Sequence, residues 1–141
     1  MDIELLRAKL HRLRVTEADL YYEGSITVDR ELLDTAGILP YEKVQVVNVN
    51  NGNRLETYTI PGDAGERTVC LNGPAARLAE VGDAVIVIAY AKLTPTEARQ
   101  HHPRVVHVDE NNDVTKTRTL DVSTDDDAVQ APEGMEDVLI A

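Results

Sequence analysis

Gly24-Ser25 is the dipeptide in this chain with the most chemistry open to it. Ser25 is one of only two serines in 141 residues, the other being Ser123. A serine oxygen can attack the carbonyl of the residue before it when the loop holds the two close. Glycine admits backbone geometry that other residues avoid, and strain at the bond would raise its ground state. The resulting oxyanion needs donors. Shift to the ester and β-elimination would then break the chain and leave dehydroalanine at position 25. Hydrolysis of that product gives a pyruvoyl group, whose carbonyl can take an amine as a Schiff base and withdraw electrons as pyridoxal does. The same dipeptide, ahead of Ile26-Thr27-Val28, also reads as a plain turn into a strand. Residue types alone leave both readings open.

Other chemistries are poorly served. No Walker-type glycine loop is present, and Gly62…Gly65 is too short and polar for a dinucleotide fingerprint. Ser25 lacks the flanking pattern of a hydrolase elbow. His101 and His102 are adjacent, and with His107 they lack the cysteine or carboxylate spacing of a metal site. They read as a solvated face, and no metal is expected. Cys70, the sole cysteine, excludes an intrachain disulfide and reads as a buried structural thiol.

Positioning any such site falls to a short chain with an aliphatic core. There is no Trp and no Phe, and the length suits one domain. Valine-rich runs favour strands. The formal charge of −11 is uneven: residues 1–108 hold 12 Lys/Arg against 15 Asp/Glu, residues 109–141 hold 2 against 10. Without a basic stripe, nucleic acid is not an expected partner. No apolar run approaches the ~18 residues of a membrane span, so a soluble cytoplasmic protein is expected.

Strands are predicted over Ser25–Asp29, Lys43–Val49, Arg54–Ile60, Thr68–Leu71, Ala84–Ala91 and Arg104–Val108. Asn51-Gly52 is a strong hairpin signal. Asp29 is placed to cap a short helix over Arg30–Ala36 that Gly37 ends. Asn72 is placed to cap a second helix reaching about Glu80, with Pro74 in its first turn. Residues 94–99 suggest a helical turn. Ile3, Leu6, Leu10 and Leu13 recur at helical spacing. Beyond Asp109 apolar periodicity fades, and a disordered acidic tail is expected over 109–141. The sum is a compact, mainly β barrel with a few short helices.

Read in order, the chain gives Lys9-Leu10-His11-Arg12, Ala18-Asp19-Leu20, Tyr22-Glu23-Gly24-Ser25, Leu32-Leu33-Asp34, Asn51-Gly52-Asn53-Arg54, Thr57-Tyr58, Asn72-Gly73-Pro74-Ala75-Ala76 and Val81-Gly82-Asp83. In this order and spacing residues 1–108 resemble the aspartate 1-decarboxylase family, pyruvoyl-dependent enzymes that make β-alanine for pantothenate synthesis. The resemblance implies a double-psi β-barrel over 1–108, which makes residues 1–15 mainly strand against the local helical spacing. It implies autocatalytic cleavage at Gly24-Ser25 into a β chain (1–24) and an α chain (25–141). The cofactor is then the pyruvoyl group formed from Ser25, with no pyridoxal phosphate. The substrate is L-aspartate, which is converted to β-alanine and carbon dioxide. The assembly implied is a homotetramer with sites between subunits, in some cases matured by a helper protein.

Residue by residue, the resemblance assigns processing to Gly24, Ser25 and Thr57, and proton donation in catalysis to Tyr58. It assigns substrate binding to Lys9, Tyr22, Arg54, Thr57, Asn72, Gly73, Pro74 and Ala75, with His11 nearby. An arginine fork suits a carboxylate. Neighbours on a strand face opposite sides, so Thr57 and Tyr58 serve one site only if the strand twists or two subunits contribute. Pro74 stands where the family commonly has alanine and has no N–H to offer. Val47 stands where some members carry tryptophan. A barrel that kept the fold and lost processing would have shown changes at Ser25, Thr57 or Tyr58, and a relative acting on glutamate or another amino acid is the enzymatic alternative.

Overall fold

The structure is a computed structural model, and it describes residues 1–123. Among these, the strands are β1 (Ile3–Arg14), β2 (Glu17–Asp19), β3 (Ser25–Asp29), β4 (Lys43–Asn48), β5 (Arg54–Gly62), β6 (Val69–Asn72), β7 (Ala84–Leu93), β8 (Arg104–Val108) and β9 (Val114–Thr119). Two short helices, α1 (Arg30–Ala36) and α2 (Pro95–Arg99), complete the set with a 3₁₀ turn over Gly73–Arg77. The strands form one sheet in the order β2-β6-β3-β5-β4-β7-β1-β8-β9. Its parallel pairs β1·β8, β2·β6 and β3·β5 are separated by antiparallel ones, so the chain repeatedly crosses over instead of meandering. The mainly β barrel read from the sequence is what forms.

One face of the sheet carries the aliphatic core, with Leu10, Leu13, Ile26, Val28, Leu71, Val85 and Val87 fully buried. The opposite face carries a smaller cluster of Val47, Ile86 and Ile88 with Leu6. Helix α1 has only seven residues, too few to hold itself in water; it persists because Leu32, Leu33 and Ala36 enter the core. Its ends are those expected: Asp29 accepts from the Glu31 amide, and Gly37 closes it at φ 75°.

The first strand shows why local spacing there mimics a helix. In a regular strand, residues three apart face opposite sides. Strand β1 has register shifts between Leu6 and Ala8 and between Leu10 and Leu13, the second at Arg12 with φ 67°. Each extra residue flips the alternation. Leu10 and Leu13 therefore share the core, while Leu6, four before Leu10, turns to the opposite cluster.

Two expectations need correction. The helix from Asn72 to Glu80 is only a 3₁₀ turn ending at Arg77, and Asn72 makes no capping bond, because its side chain is used elsewhere. The boundary at 108 also falls too early: β9 pairs with β8 from Arg104↔Thr119 to Val108↔Val114. The sequence Val114-Thr-Lys-Thr-Arg-Thr119 has no apolar alternation because this edge strand is mostly exposed. Asn112 fastens the β8–β9 turn to the barrel. Its Oδ1 accepts from the Arg14 amide at 2.7 Å, and its Nδ2 donates to the carbonyls of Arg14 and Arg67 at 3.0 Å each. The rest of the expected tail, 124–141, lies outside the described residues.

Candidate active site

Strands β3 and β6 build the centre of the site. They pair antiparallel with Ser25 opposite Asn72 and Thr27 opposite Cys70. Directly opposed residues share a face, and i and i+2 along a strand share it too. Four polar side chains thus gather on one surface. The Asn72 amide donates one hydrogen to Ser25 Oγ and one to Thr27 Oγ1, each at 2.9 Å. Its Oδ1 accepts from the Cys70 thiol at 3.1 Å. The Ser25 hydroxyl donates to the carbonyl of Glu23 at 2.8 Å. Ser25 and Asn72 are 0 % and 2 % exposed, so water competes little for these bonds. Burial raises the Cys70 thiol above its ordinary pKa, the charges of Glu17 and Asp19 add to this, and the thiol stays protonated at neutral pH.

The backbone demand falls on Gly73 rather than Gly24. A Cβ added at Gly24 would meet Pro74 Cδ at an ordinary 3.6 Å. Gly73 has φ +64°, and a Cβ there would lie 2.9 Å from Gly24 Cα, Gly24 N and the Tyr22 carbonyl oxygen. Only glycine lets the Asn72–Ala75 segment press against the Gly24-Ser25 bond.

A cleft of about 400 Å³ opens beside this bond, lined by Gly24, Leu55–Tyr58, Pro74, Ala75 and Leu78. It exists because β3 pairs with β5 only from Ile26↔Thr59 onward. The earlier part of β5 pairs with β4 alone, and its other edge faces the Gly73–Arg77 turn across the gap. Gly24, Thr57, Tyr58, Pro74 and Ala75 therefore come together at one cleft. Ser25, Asn72 and Gly73 lie directly behind them, and the Tyr22 backbone touches Gly73.

Arg54 and Lys9 do not join them within one chain. On β5, Leu55 packs on the core, and alternation sends Arg54, Glu56 and Tyr58 to the other face. Arg54 reaches Gln45 of β4 at 3.4 Å. The Tyr58 ring lies beside Tyr41, centroids 6.4 Å apart. The ladder Lys9↔Ile88↔Gln45↔Glu56 puts Lys9 three strands from β5, about 14 Å at the usual strand spacing. Lys9 is 5 % exposed, and burial lowers its ammonium pKa. His11 packs edge-on against His107, ring centroids 5.1 Å apart.

The three late histidines separate, as adjacent side chains tend to. His101 bonds the Leu6 carbonyl, His102 the Leu120 carbonyl, and His107 turns to His11. Sequence reading missed Thr27 and gave Cys70 no role at the site. The available signal was the two-residue spacing of Cys70 and Asn72, but it acquires meaning only from pairing with β3.

A mainly β barrel with a buried, hydrogen-bonded serine behind a glycine-lined cleft is the class of protein these features define. The chain belongs to the aspartate decarboxylase family, whose sequence profile matches residues 1–115. It is 84% identical to the aspartate 1-decarboxylase of Salinibacter ruber over 141 residues, covering all of this chain and 97% of that protein. It is 62% identical to the aspartate 1-decarboxylase of Desulfitobacterium hafniense over 112 residues, 79% of this chain and 88% of that protein. With that of Ruminiclostridium cellulolyticum it shares 59% over 116 residues, 82% and 91% of the two chains. The chain is an aspartate-decarboxylating enzyme on this footing. No helix among the described residues is long and apolar enough to cross a membrane.

Proposed function

We propose that the chain matures by cutting itself at Gly24-Ser25 and then decarboxylates L-aspartate to β-alanine with the group formed at position 25. The observation that carries this reading is the Asn72 amide donating to the buried Ser25 hydroxyl beside a cleft. In the first step Ser25 Oγ bonds to the Gly24 carbonyl carbon, and the hydroxyl proton passes to the departing amide nitrogen. An N–H aimed at Oγ stabilises negative charge as that proton leaves. Elimination then removes the Ser25 α-proton and expels the Gly24 carboxylate. Water adds to the dehydroalanine and ammonia leaves. Chain 1–24 is freed, and chain 25–141 begins with a pyruvoyl group.

The site's residues fit such a group. Asn72 and Thr27 present neutral polar atoms to position 25, and Gly73 leaves room at the bond. Such a group would supply an electron-withdrawing carbonyl, able to condense with an amine and to delocalise the charge left by departing carbon dioxide. Thr57 stands at the cleft as a hydroxyl donor for the processing oxyanion. The Tyr58 phenol supplies the proton to the carbon that loses its carboxylate. Asn72, Gly73, Pro74 and Ala75 hold the substrate at the turn, with Tyr22 beside it.

Aspartate carries two carboxylates, and Arg54 is a suitable fork for one of them. Tyr58 lines the cleft beside Gly24, but Arg54 reaches Gln45 and Lys9 lies three strands from β5, so a complete site takes Arg54 and Lys9 from a neighbouring copy, in a homotetramer with sites at subunit boundaries. β-Alanine as product suits a role in pantothenate synthesis, and our reading makes the enzyme cytoplasmic, with maturation either spontaneous or assisted by a helper protein.

Intact-mass measurement after expression tests the reading. We expect two fragments divided at Gly24/Ser25 with a pyruvoyl-headed larger one, and release of carbon dioxide from L-aspartate in preference to other amino acids. A single chain that stays whole and inactive, even with a maturation partner, refutes it.

A further inference from the structure

We propose that Cys70 is a positioning residue for self-cleavage: its thiol donates to Oδ1 of Asn72 and so fixes which end of the carboxamide faces the Ser25 hydroxyl. This rests on Ser25 being the nucleophile of maturation. The two ends of an asparagine amide are nearly the same size, and the neighbours decide the orientation. Three neighbours act here: Ser25 Oγ and Thr27 Oγ1 at 2.9 Å from Nδ2, and Cys70 Sγ at 3.1 Å from Oδ1.

The two hydroxyls do not discriminate between the ends, since each can donate or accept. Turned the other way, Oδ1 would draw the Ser25 hydroxyl proton onto itself and away from the Glu23 carbonyl that now receives it at 2.8 Å. The NH₂ would then face sulfur, a weak acceptor that already carries its own hydrogen. A protonated thiol therefore ranks the two orientations, and the observed one is the reactive one. It places a donor on the oxygen that must lose its proton. The reversed one places an acceptor there, which holds the proton in place. The register Thr27↔Cys70 and Ser25↔Asn72 puts the thiol on the same face as the nucleophile. Cys70 is buried, 5 % exposed, so water does not substitute for it.

The test follows newly purified precursor by intact mass, comparing the parent with Cys70→Ala, Cys70→Val and Cys70→Ser. Losing one neutral hydrogen bond should slow cleavage about three- to tenfold in Cys70→Ala. Cys70→Val restores volume without a donor and should be equally slow. Cys70→Ser keeps a donor and should cleave within about twofold of the parent. An alanine variant at the parental rate, or a serine variant as slow as valine, overturns the inference.

A second readout is taken on uncleaved chain, its state confirmed by intact mass. In ¹⁵N-labelled full-length chain, the two Asn72 side-chain amide protons should stay resolved in the parent and Cys70→Ser, and shift or broaden in Cys70→Val. Identical signals in all of these overturn the proposal whether or not any of them cleaves. A parent that never cleaves refutes the maturation reading alone.

Discussion

The two ends of strand β3 hold buried polar side chains only four residues apart, and they are built for opposite purposes. At one end the Ser25 hydroxyl has one carbonyl and one carboxamide for partners, beside a cleft. At the other, the Asp29 carboxylate accepts from the amides of Glu31, Gly65 and Arg67 at 2.8, 3.3 and 2.6 Å and from the Arg67 guanidinium at 3.2 Å. Burial pushes the Asp29 carboxyl pKa up, but these donors together outweigh it and hold it below the usual range. Arg67 in turn holds Glu31 and Asp113. A fully satisfied charge anchors; a neutral hydroxyl with a few directed partners and an adjacent opening can react. Buriedness alone does not tell a functional polar group from a structural one. The number and charge of its partners, and access to space, do.

The sharpest way to break this contrast is Ser25→Ala. It should abolish cleavage and decarboxylation outright while moving the urea midpoint little; retained activity would remove Ser25 from the chemistry. Next comes Gly73→Ala, which forces a side chain into a left-handed backbone against Gly24. Strain of this kind costs about 1–3 kcal/mol, so cleavage should slow by about five- to a hundredfold; unchanged kinetics would show that the close approach at Gly24 is not required.

Asp29→Ala should act in the other currency. Arg67 keeps Glu31 and Asp113, but the amides that donate to Asp29 lose their acceptor, at about 1–3 kcal/mol for each one left buried and unpaired, seen as a lower urea midpoint. Cleavage of the molecules that remain folded should stay within about twofold of the parent. A slowed cleavage with normal stability would reverse the roles assigned to the two ends.

The smallest effect is in pH. The folded pKa of Asp29 is lowered, so its stabilisation is complete above the unfolded aspartate value of about 3.9 and is lost as pH falls through the folded value. Urea midpoints of the parent and Asp29→Asn should therefore converge from pH 6 toward pH 3. A gap that stays constant over that interval would mean the carboxylate's charge is not what anchors the strand.

Much of this was legible in the chain. The cap at Asp29, the stop at Gly37 and the hairpin at Asn51-Gly52 follow from short-range chemistry. So do the strands rich in valine and isoleucine, because those residues carry their preference locally. The first strand was not legible from pattern, since two bulges convert a period of two into spacings of three and four. Strand β9 was invisible because an exposed edge strand needs no apolar face. The helix expected after Asn72 failed because its carboxamide found better partners across the sheet than at its own amides.

The sequence by itself determined the inventory: an aliphatic mainly β domain, a Gly-Ser bond, and a collinear set of family residues that includes Thr57, Tyr58, Arg54 and Asn72. Only the tertiary structure decided which of them meet. Pairing β3 with β6 sets Cys70, Asn72, Thr27 and Ser25 on one face, although Asn72 stands 47 residues from Ser25 and 45 from Thr27 in the chain. The register of β5 against β3 turns Tyr58 to the side of Ser25, while Arg54, four residues earlier, reaches Gln45 of β4 instead. Strand pairing fixes side-chain direction through a period of two, and that direction depends on register, which a single segment does not carry.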